Sequence, residues 1–452
     1  MERSHNARLR ALLAESGLSG PEFIERVNRA GAEVGVDLRY QRPSVTQWLA
    51  GSRPRPPVPA LVAEVFTRAL GRHVTQEDTG MLPEGGHPGL TLGPLEWWRG
   101  QAGAVVAESS VERFPPLPYD TAVLAVPRWP VTLSLTGPAV TKVRRAGAGD
   151  VQAAESALEL FSSAESALGG GHVRRAATAY LRSTLVPWLR AGASPSVRER
   201  LLVVAARMTY LCGFICFDDE EHGTAERYYL TALRLAVESG SGAEYGTALR
   251  AMSVQAVHLR HPHVAMDLAD GALHAAGNRV SPRLKAFLLG QYAVAAATSD
   301  DRAGAFRALG AAERRLSRAD TTPTPVAAYH WGAFAYQQAA VLASVGDQAG
   351  AVRALRKSVR SRSWEERRAR AIVLARLVEL HLAAGHLDQA CVDGAEFLAV
   401  QDGLGSARAL SARRALRAGL LPHGGYPPAK ALLARLGSSW QRTPSARRDP
   451  QT

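Results

Sequence analysis

Residues 220–236, EEHGTAERYYLTALRLA, contain the pattern that decides the fold. The small residue Ala225 stands five positions after the polar, turn-type Glu220 and four positions before Tyr229. A small residue at a helix crossing lets two antiparallel helices approach closely, and a side chain one turn later fills the groove beside it. The stretch therefore predicts the second helix of an antiparallel pair.

The same pattern recurs through the C-terminal half of the chain. Six small residues align as anchors of such pairs: Ala176, Ala225, Ala265, Ala305, Ala351 and Ala390. Successive anchors are 49, 40, 40, 46 and 39 residues apart. The position five residues before each anchor is a turn-type or short polar position in every case: Gly171, Glu220, Arg260, Asp300, Gly346 and Gly385. A period of this length with helical spacing predicts a tetratricopeptide-like α-solenoid, in which each pair buries its apolar face on the next.

Composition and charge narrow the class of protein. A chain of 452 residues with 46% hydrophobic and 21% charged residues is folded rather than disordered. Three cysteines cannot form a disulfide framework, so we expect a reducing compartment, the cytoplasm. The N-terminus MERSHNARLR lacks an apolar core, and we expect neither a signal peptide nor a membrane span.

Basic residues concentrate near the N-terminus, where we predict a compact helical domain over residues 1–75. From Arg39 to Arg72 there are six arginines against one acid, Glu64, and a local basic surface attracts phosphate. In the short helix that starts at Pro43, the apolar residues share one face. The other face carries the residues that we predict as DNA base contacts: Gln41, Arg42, Ser44, Thr46 and Gln47. Three flanking arginines are predicted phosphate contacts: Arg39, Arg53 and Arg55. The alternative is the solvated polar face of an ordinary small bundle.

Two stretches of this domain resemble a known family. LRALLAESGLSGPEFIERVN (residues 9–28) and YQRPSVTQWLAGSRPRP (residues 40–56) resemble the helix-turn-helix of the lambda-repressor/XRE type. More specifically, they are similar to actinobacterial regulators that join this module to tetratricopeptide-like repeats, some of which control sporulation and antibiotic production. The resemblance continues into GGGHVRRAATAYL (169–181) and CGFICFDDEEHGTAERYYLTALRLA (212–236). It covers residues 4–75 and 145–400 and departs from the plain XRE pattern in the long connection from Gly31 to Gln41.

The remaining segments differ in composition. Residues 76–150 are rich in proline and glycine and predict a partly ordered linker, parts of which dock through Trp97, Trp98 and Trp129. Helical periodicity then predicts repeats over residues 151–418. From Arg408 to Arg448 there are nine basic residues and no acidic ones, and residues 419–452 predict a mobile basic tail.

Candidate metal and catalytic residues have simpler interpretations. Cys212 and Cys216 are four residues apart beside an acidic run, but both fall on the inward face of a repeat helix, where cysteine is a small hydrophobe. His258, His261 and His263 surround a proline-containing turn and lack a companion ligand at zinc spacing. The sequence contains no P-loop, no His-Glu-x-x-His and no Gly-x-Ser-x-Gly motif. We therefore expect no metal, no cofactor and no enzymatic activity.

These observations lead to one functional hypothesis and one rival. The hypothesis is an all-α regulator in which a helix-turn-helix binds double-stranded DNA as a homodimer. Its repeat groove would receive a peptide, a small molecule or a protein. The rival is a non-enzymatic interaction scaffold whose helix-turn-helix contacts a protein instead of DNA.

Overall fold

A computed structural model describes residues 5–33, 36–55, 57–70, 72, 74–76, 78–81, 119–124, 126, 128–130, 145–319 and 329–438. The regular secondary structure of these residues is α-helical, apart from short 3-10 and π turns and one isolated bridge between Arg145 and Gly192. The chain forms two compact units. The first comprises residues 1–162 and 174–328, and the second comprises residues 163–173 and 329–452.

The first unit begins with a four-helix bundle. Its helices are α1 (Ala7–Ser16), α2 (Gly20–Glu33), α3 (Arg42–Leu49) and α4 (Val58–Leu70). Asn6 caps α1 by accepting the Leu9 N–H at 2.9 Å, which satisfies one of the free donors of the first turn. The bundle core runs from Leu9 to Met81, beyond the boundary that we predicted at residue 75. The side chain of Asn6 fixes this extension by donating to the Thr79 carbonyl at 2.9 Å.

The long connection between α2 and α3 is held by one side chain of α2. Asn28 donates to the Tyr40 carbonyl at 2.9 Å and accepts the Tyr40 N–H at 3.1 Å. The Tyr40 ring then packs edge-on against Trp48 at 4.9 Å between centroids. The connection that departs from the XRE pattern is therefore anchored at its end, immediately before α3.

The rest of the first unit consists of stacked helix pairs. The helices that lie wholly within it are α7 (Val186–Arg190), α8 (Pro195–Asp218), α9 (His222–Glu238), α10 (Gly242–His258), α11 (Pro262–Ala276), α12 (Pro282–Thr298) and α13 (Arg302–Leu316). Helices α8 and α9, α10 and α11, and α12 and α13 pack closely as pairs, and each pair packs on the next. Two further helices, α5 (Ala148–Leu168) and α6 (Gly170–Tyr180), have residues in both units.

Turns within the pairs share one backbone feature. The residue five positions before the anchor has a positive φ at Glu220 (60°), Arg260 (66°), Asp300 (63°), Gly346 (88°) and Gly385 (73°). In each turn the next residue donates its N–H to the carbonyl five residues back, as in a Schellman motif. One example is the bond from the His261 N–H to the Ala256 carbonyl at 2.8 Å. Left-handed backbone therefore ends the first helix of each of these pairs.

The second unit repeats the arrangement. Its helices are α14 (Trp331–Ser344), α15 (Gln348–Arg360), α16 (Arg367–Ala383), α17 (Leu387–Gln401), α18 (Ala407–Leu420) and α19 (Pro427–Ser438). Helix α14 pairs with α15, and α16 pairs with α17. Helices α14 and α15 approach so closely that the Ser358 hydroxyl donates to the Gly332 carbonyl at 2.6 Å. The described residues therefore form an all-α fold of a small helical bundle and tetratricopeptide-like helix pairs.

Two expectations about the repeat boundaries were wrong. Ala225, Ala265, Ala305, Ala351 and Ala390 are fully buried, but Ala176 is exposed and its neighbour Ala177 is the buried residue. The first repeat lacks the left-handed turn at Gly171, and Gly169 has the positive φ instead, so the predicted register does not hold there. The anchor and the left-handed turn residue of the first repeat therefore both lie at other positions than the sequence alignment predicted.

The predicted mobile tail is also partly incorrect. Residues 419–438 include the end of α18 and all of α19, and three residues of α19 are buried in the core of the second unit: Ala429, Leu432 and Leu436. Their spacing of three and four residues puts them on one helical face. Leu432 reaches Gly394, where an added Cβ would lie 2.7 Å from its Cδ2. Residues 439–452 lie outside the described part of the chain.

Candidate functional site: an exposed recognition helix on a docked bundle

The polar face of α3 lies open to solvent. Gln41, Arg42, Thr46 and Gln47 are exposed, and Ser44 is half-buried. On the opposite face Val45 and Trp48 are buried, while Leu49, which we predicted in the core, is only half-buried. Four of the five predicted base-contact residues are therefore open to solvent at the start of α3 or on its polar face, and their role as base contacts stays a prediction.

Trp48 sets the angle at which α3 leaves the bundle. Its ring is 3% exposed and packs edge-on against Phe23 of α2 at 6.3 Å. Phe23 in turn stacks on Phe66 of α4 at 5.0 Å. Aromatic contacts of this kind fix relative orientation as well as burying apolar area. The exposed face of α3 is thus presented by a rigid support.

The three predicted phosphate contacts differ in their surroundings. Arg39 forms an ion pair with Asp37 at 2.8 Å, but both side chains are mostly exposed, and a pair so exposed is weak. Arg53 and Arg55 are exposed in the segment after α3, without an ion pair among the residues that the structure describes. All three arginines are therefore accessible to a phosphate.

A buried polar cluster joins the bundle to the helix pairs of the same unit. Nε2 of His261, which precedes α11, lies 2.9 Å from Oε1 of Glu64 in α4, and both side chains are 5% exposed. Arg68 completes the cluster with bonds of 2.7 Å to Glu64 and 2.8 Å to Glu33. Burial acts to lower the pKa of Arg68, but the two carboxylates raise it above its ordinary value. The bundle is therefore attached to the repeats by the buried contact between Glu64 and His261, which Arg68 supports from within the bundle.

A short segment of the predicted linker extends this contact. Tyr119 stacks on the ring of His261 at 5.5 Å, and the Asp120 N–H donates to Glu226 of α9 at 3.1 Å. Burial, with a contribution from Asp120, raises the pKa of Glu226 well above its ordinary value. Trp129 packs against Tyr245 of α10 at 5.4 Å, whereas Trp97 and Trp98 lie outside the described residues. The described residues between Tyr119 and Pro130 thus lie across three helices of the repeat array.

No pattern in the sequence pointed directly to this interface. His261 stood out only as a member of a histidine group, and its partner Glu64 precedes it by 197 residues. One indirect signal existed: Glu64 is the only acid between Arg39 and Arg72, and it stands on the apolar helix α4. A buried acid in such a place needs a partner.

Other candidate groups have structural roles. Cys212 and Cys216 are fully buried in α8, and burial raises the pKa of the Cys212 thiol to about 12. In the part of the chain that the structure describes, no group of three or more His, Cys, Asp or Glu side chains is arranged to hold a metal ion. Helix α8, with 24 residues, is long and apolar enough to cross a membrane, but 83% of its apolar window is buried inside the protein. It is the first helix of the α8–α9 pair.

Comparisons with known proteins match the N-terminal bundle and the helix pairs to different extents. A family model described as SP15 N-terminal domain matches residues 9–82, the same range as the bundle core. No curated protein matches the chain. Among solved structures, "Crystal structure of APC/C hetero-tetramer Cut9-Hcn1" matches with 16% identity and a TM-score of 0.33, over 89% of this chain and 67% of that chain. A score this low supports no argument, and the fold rests on the helix pairs themselves. Stacked helix pairs expose extended binding surfaces, which supports a protein-interaction role.

Proposed function

We propose that the protein is a sequence-specific DNA-binding transcriptional regulator whose helix pairs receive a partner or signal. The observation that carries this proposal is the division of α3 into a buried back, fixed by Trp48, and an exposed polar front. A recognition helix needs both halves, because the back sets the docking angle and the front contacts base edges in the major groove. The resemblance to XRE-type regulators, with their roles in development and antibiotic production, supports the same proposal.

Several residues on and beside the exposed face have a chemical role in this proposal. The amide of Gln47 can pair with N6 and N7 of adenine, and the guanidinium of Arg42 can pair with O6 and N7 of guanine. Gln41 precedes α3 with an extended backbone and no side-chain cap. Because Pro43 has no N–H and the Ser44 N–H donates to the Gln41 carbonyl at 2.8 Å, the N–H of Arg42 is the backbone donor of this turn that would contact a phosphate. Arg53 and Arg55 follow α3 and would hold the adjacent backbone.

A partner bound to the helix pairs would change DNA binding by shifting the equilibrium between DNA-competent and DNA-incompetent arrangements of two subunits. A partner that binds better to the DNA-competent arrangement of two subunits favours that arrangement, to the extent of its differential affinity. The proposal includes a homodimer, because modules of this type commonly contact two half-sites. The buried cluster of Glu64, Arg68 and His261 gives such a signal a physical path, since it links the bundle to the helix pairs.

Selection of bound DNA from a random library tests the proposal. The full-length protein should enrich a shared motif, and the double variant Arg42→Ala/Gln47→Ala should lose it, because a good base contact is worth about 1–3 kcal/mol of discrimination. A matched control is Arg318→Ala/Gln348→Ala, which removes the same two residue types from exposed positions outside the bundle. The control should recover the wild-type motif.

The interaction scaffold is the second candidate, and one observation favours it. The bundle is anchored on the repeats by buried groups, as a permanent part of a larger binding surface would be. A scaffold predicts no motif above background and equal DNA affinity for the double variant and its control. Either result would overturn the regulator proposal.

A further inference from the structure

A cleft lies between the docked linker segment and the helix pair α10–α11. Its volume is about 290 Å³, and its floor consists of Leu124, Leu249 and Leu268, all buried. The indole of Trp129 forms one wall. Nε2 of His274 lies 2.9 Å from the Trp129 carbonyl oxygen and holds that wall on α11. An apolar floor of this volume suits a small organic molecule.

A glycine in the middle of α11 keeps the cleft open. Gly271 lines the cleft, and a Cβ built there would lie 3.3 Å from Cδ1 of Leu249 on the floor. Glycine inside a helix is destabilising relative to alanine. Its presence at this position leaves space that any side chain would fill.

Charge at the rim selects the kind of ligand. Asp267 and Asp270 stand one turn apart on α11, line the cleft, and are exposed without an ion pair in the described residues. Arg128 also lines the rim, so two carboxylates stand against one guanidinium. A protonated amine can approach both carboxylates and the face of the Trp129 indole, which attracts cations. An anion would meet the carboxylates at the entrance.

We infer that this cleft is a binding site for a small organic cation, with an apolar body on the leucine floor and a protonated amine between Asp267, Asp270 and Trp129. The ligand would bind to both the linker segment and α11, and would therefore hold the segment in place. Tyr119 and Asp120, at the other end of that segment, contact His261 and Glu226 beside the bundle. The role of the cleft as an effector site rests on the proposed regulatory function, whereas binding itself does not.

Calorimetric titration of the full-length protein tests the site with phenethylamine and its uncharged analogue phenethyl alcohol. We expect saturable binding of the amine and at least about tenfold weaker binding of the alcohol, because only the amine can pair with the carboxylates. Asp267→Asn/Asp270→Asn should remove that preference without loss of fold, since both side chains are exposed. Absence of saturable amine binding, or equal binding of amine and alcohol, overturns the proposal.

A variant that fills the cleft tests the location of the binding site independently of the stability of the protein. Gly271→Leu should abolish binding of the amine while the circular dichroism spectrum stays that of the wild type, because leucine is the better helix former. Gly310→Leu in α13 is the matched control, since a Cβ there would meet only the flexible end of Arg314. It should bind as the wild type does. Wild-type binding by Gly271→Leu would contradict the assigned location.

DNA affinity measured with and without phenethylamine distinguishes the two proposals. A changed affinity supports the effector role. Amine binding that leaves a demonstrated DNA affinity unchanged keeps the site and overturns its role as an effector site. Amine binding by a protein that selects no DNA motif keeps the site and overturns the regulator proposal.

Discussion

The turn before α11 and the turn before α13 occupy the same place in successive repeats but serve different purposes. Both follow a left-handed residue, Arg260 in one and Asp300 in the other. Asp301 then caps its own helix by accepting the Gly304 N–H at 2.8 Å. His261, at the equivalent position, makes no capping bond and instead contacts Glu64 of the bundle at 2.9 Å.

This difference shows how a repeat architecture acquires a specific docking point. The backbone of the turn is dictated by the repeat, because the helices can pack only if the chain reverses there. The side chain that follows the turn is free to vary. An aspartate satisfies the local helix terminus, as Asp347 also does for α15. His261 at this place leaves the terminus uncapped and contacts Glu64 of the bundle instead.

The turn at Arg260 and His261, which holds the bundle on the repeats, is called the docking turn. Removal of Glu64, the partner of His261, should change the stability of the protein more than any other substitution at this turn. Glu64→Ala leaves His261 and Arg68 buried without their shared acceptor. We expect the free energy of unfolding to fall by about 3 kcal/mol, because breaking a buried pair strands the remaining group. Urea denaturation followed by circular dichroism measures the change.

The exposed pair of Arg29 and Glu25 on α2 provides the control for that experiment. Glu25→Ala should lower the free energy of unfolding by less than about 0.5 kcal/mol, since solvent screens the pair. A double-mutant cycle of Glu64→Ala with His261→Ala should also show clear non-additivity. Equal effects of Glu64→Ala and Glu25→Ala would show that the cluster does not fasten the bundle.

Glu226 gives the docked segment a dependence on pH. Burial raises the pKa of Glu226 well above its ordinary value of 4.5, so the folded protein holds a proton that the unfolded chain releases. Between those two pKa values stability therefore falls as the pH rises. Glu226→Gln removes the titration, and its amide oxygen can still accept the Asp120 N–H.

Melting curves across the pH range check this expectation. The melting temperature of Glu226→Gln relative to the wild type should increase from about pH 5 to about pH 8, by about 2–4 °C for each kcal/mol gained. Glu25→Gln, which removes an exposed carboxylate on α2, is the control variant. A constant difference between Glu226→Gln and the wild type would contradict a buried, protonated Glu226.

Substitution at the turn before α13, which Asp301 caps, should lower the free energy of unfolding by less and should affect a smaller part of the chain. Asp301→Ala removes the cap of α13 and should lower the free energy of unfolding by about 1 kcal/mol. Amide hydrogen exchange should increase in the first turn of α13 and remain unchanged in the bundle. His261→Ala should produce the opposite pattern, with faster exchange in α4 and no loss of a cap at α11. Similar exchange maps for the two variants would remove the distinction between the turns.

Local patterns in the sequence predicted much of the fold. The anchors from Ala225 onward and the turn positions before them are set by contacts within one helix pair, so their spacing is visible in the sequence. The polar face of α3 could be predicted for the same reason. Ala176 was misplaced because the turn of its repeat has a different length.

Long-range contacts could not be predicted in this way. The bond between Glu64 and His261 depends on how the bundle meets the repeats, and no periodicity encodes it. The cleft likewise needs residues 124–129 to lie against α11. Helix α19 was missed for a different reason, because its basic composition concealed the apolar spacing of Leu432 and Leu436.

The smallest predicted effect concerns the backbone that both turns share. Arg260 adopts a φ of 66°, and this left-handed conformation is costly for a residue with a Cβ. Arg260→Gly should therefore raise the free energy of unfolding by about 0.5–1 kcal/mol, after allowance for the greater entropy of glycine in the unfolded chain. Asp300→Gly should gain less, because a short polar side chain tolerates this conformation better than arginine does. Thermal unfolding of both variants provides the measurement. A loss of stability in Arg260→Gly would mean that the exposed arginine side chain contributes more to the docking turn than its backbone strain costs.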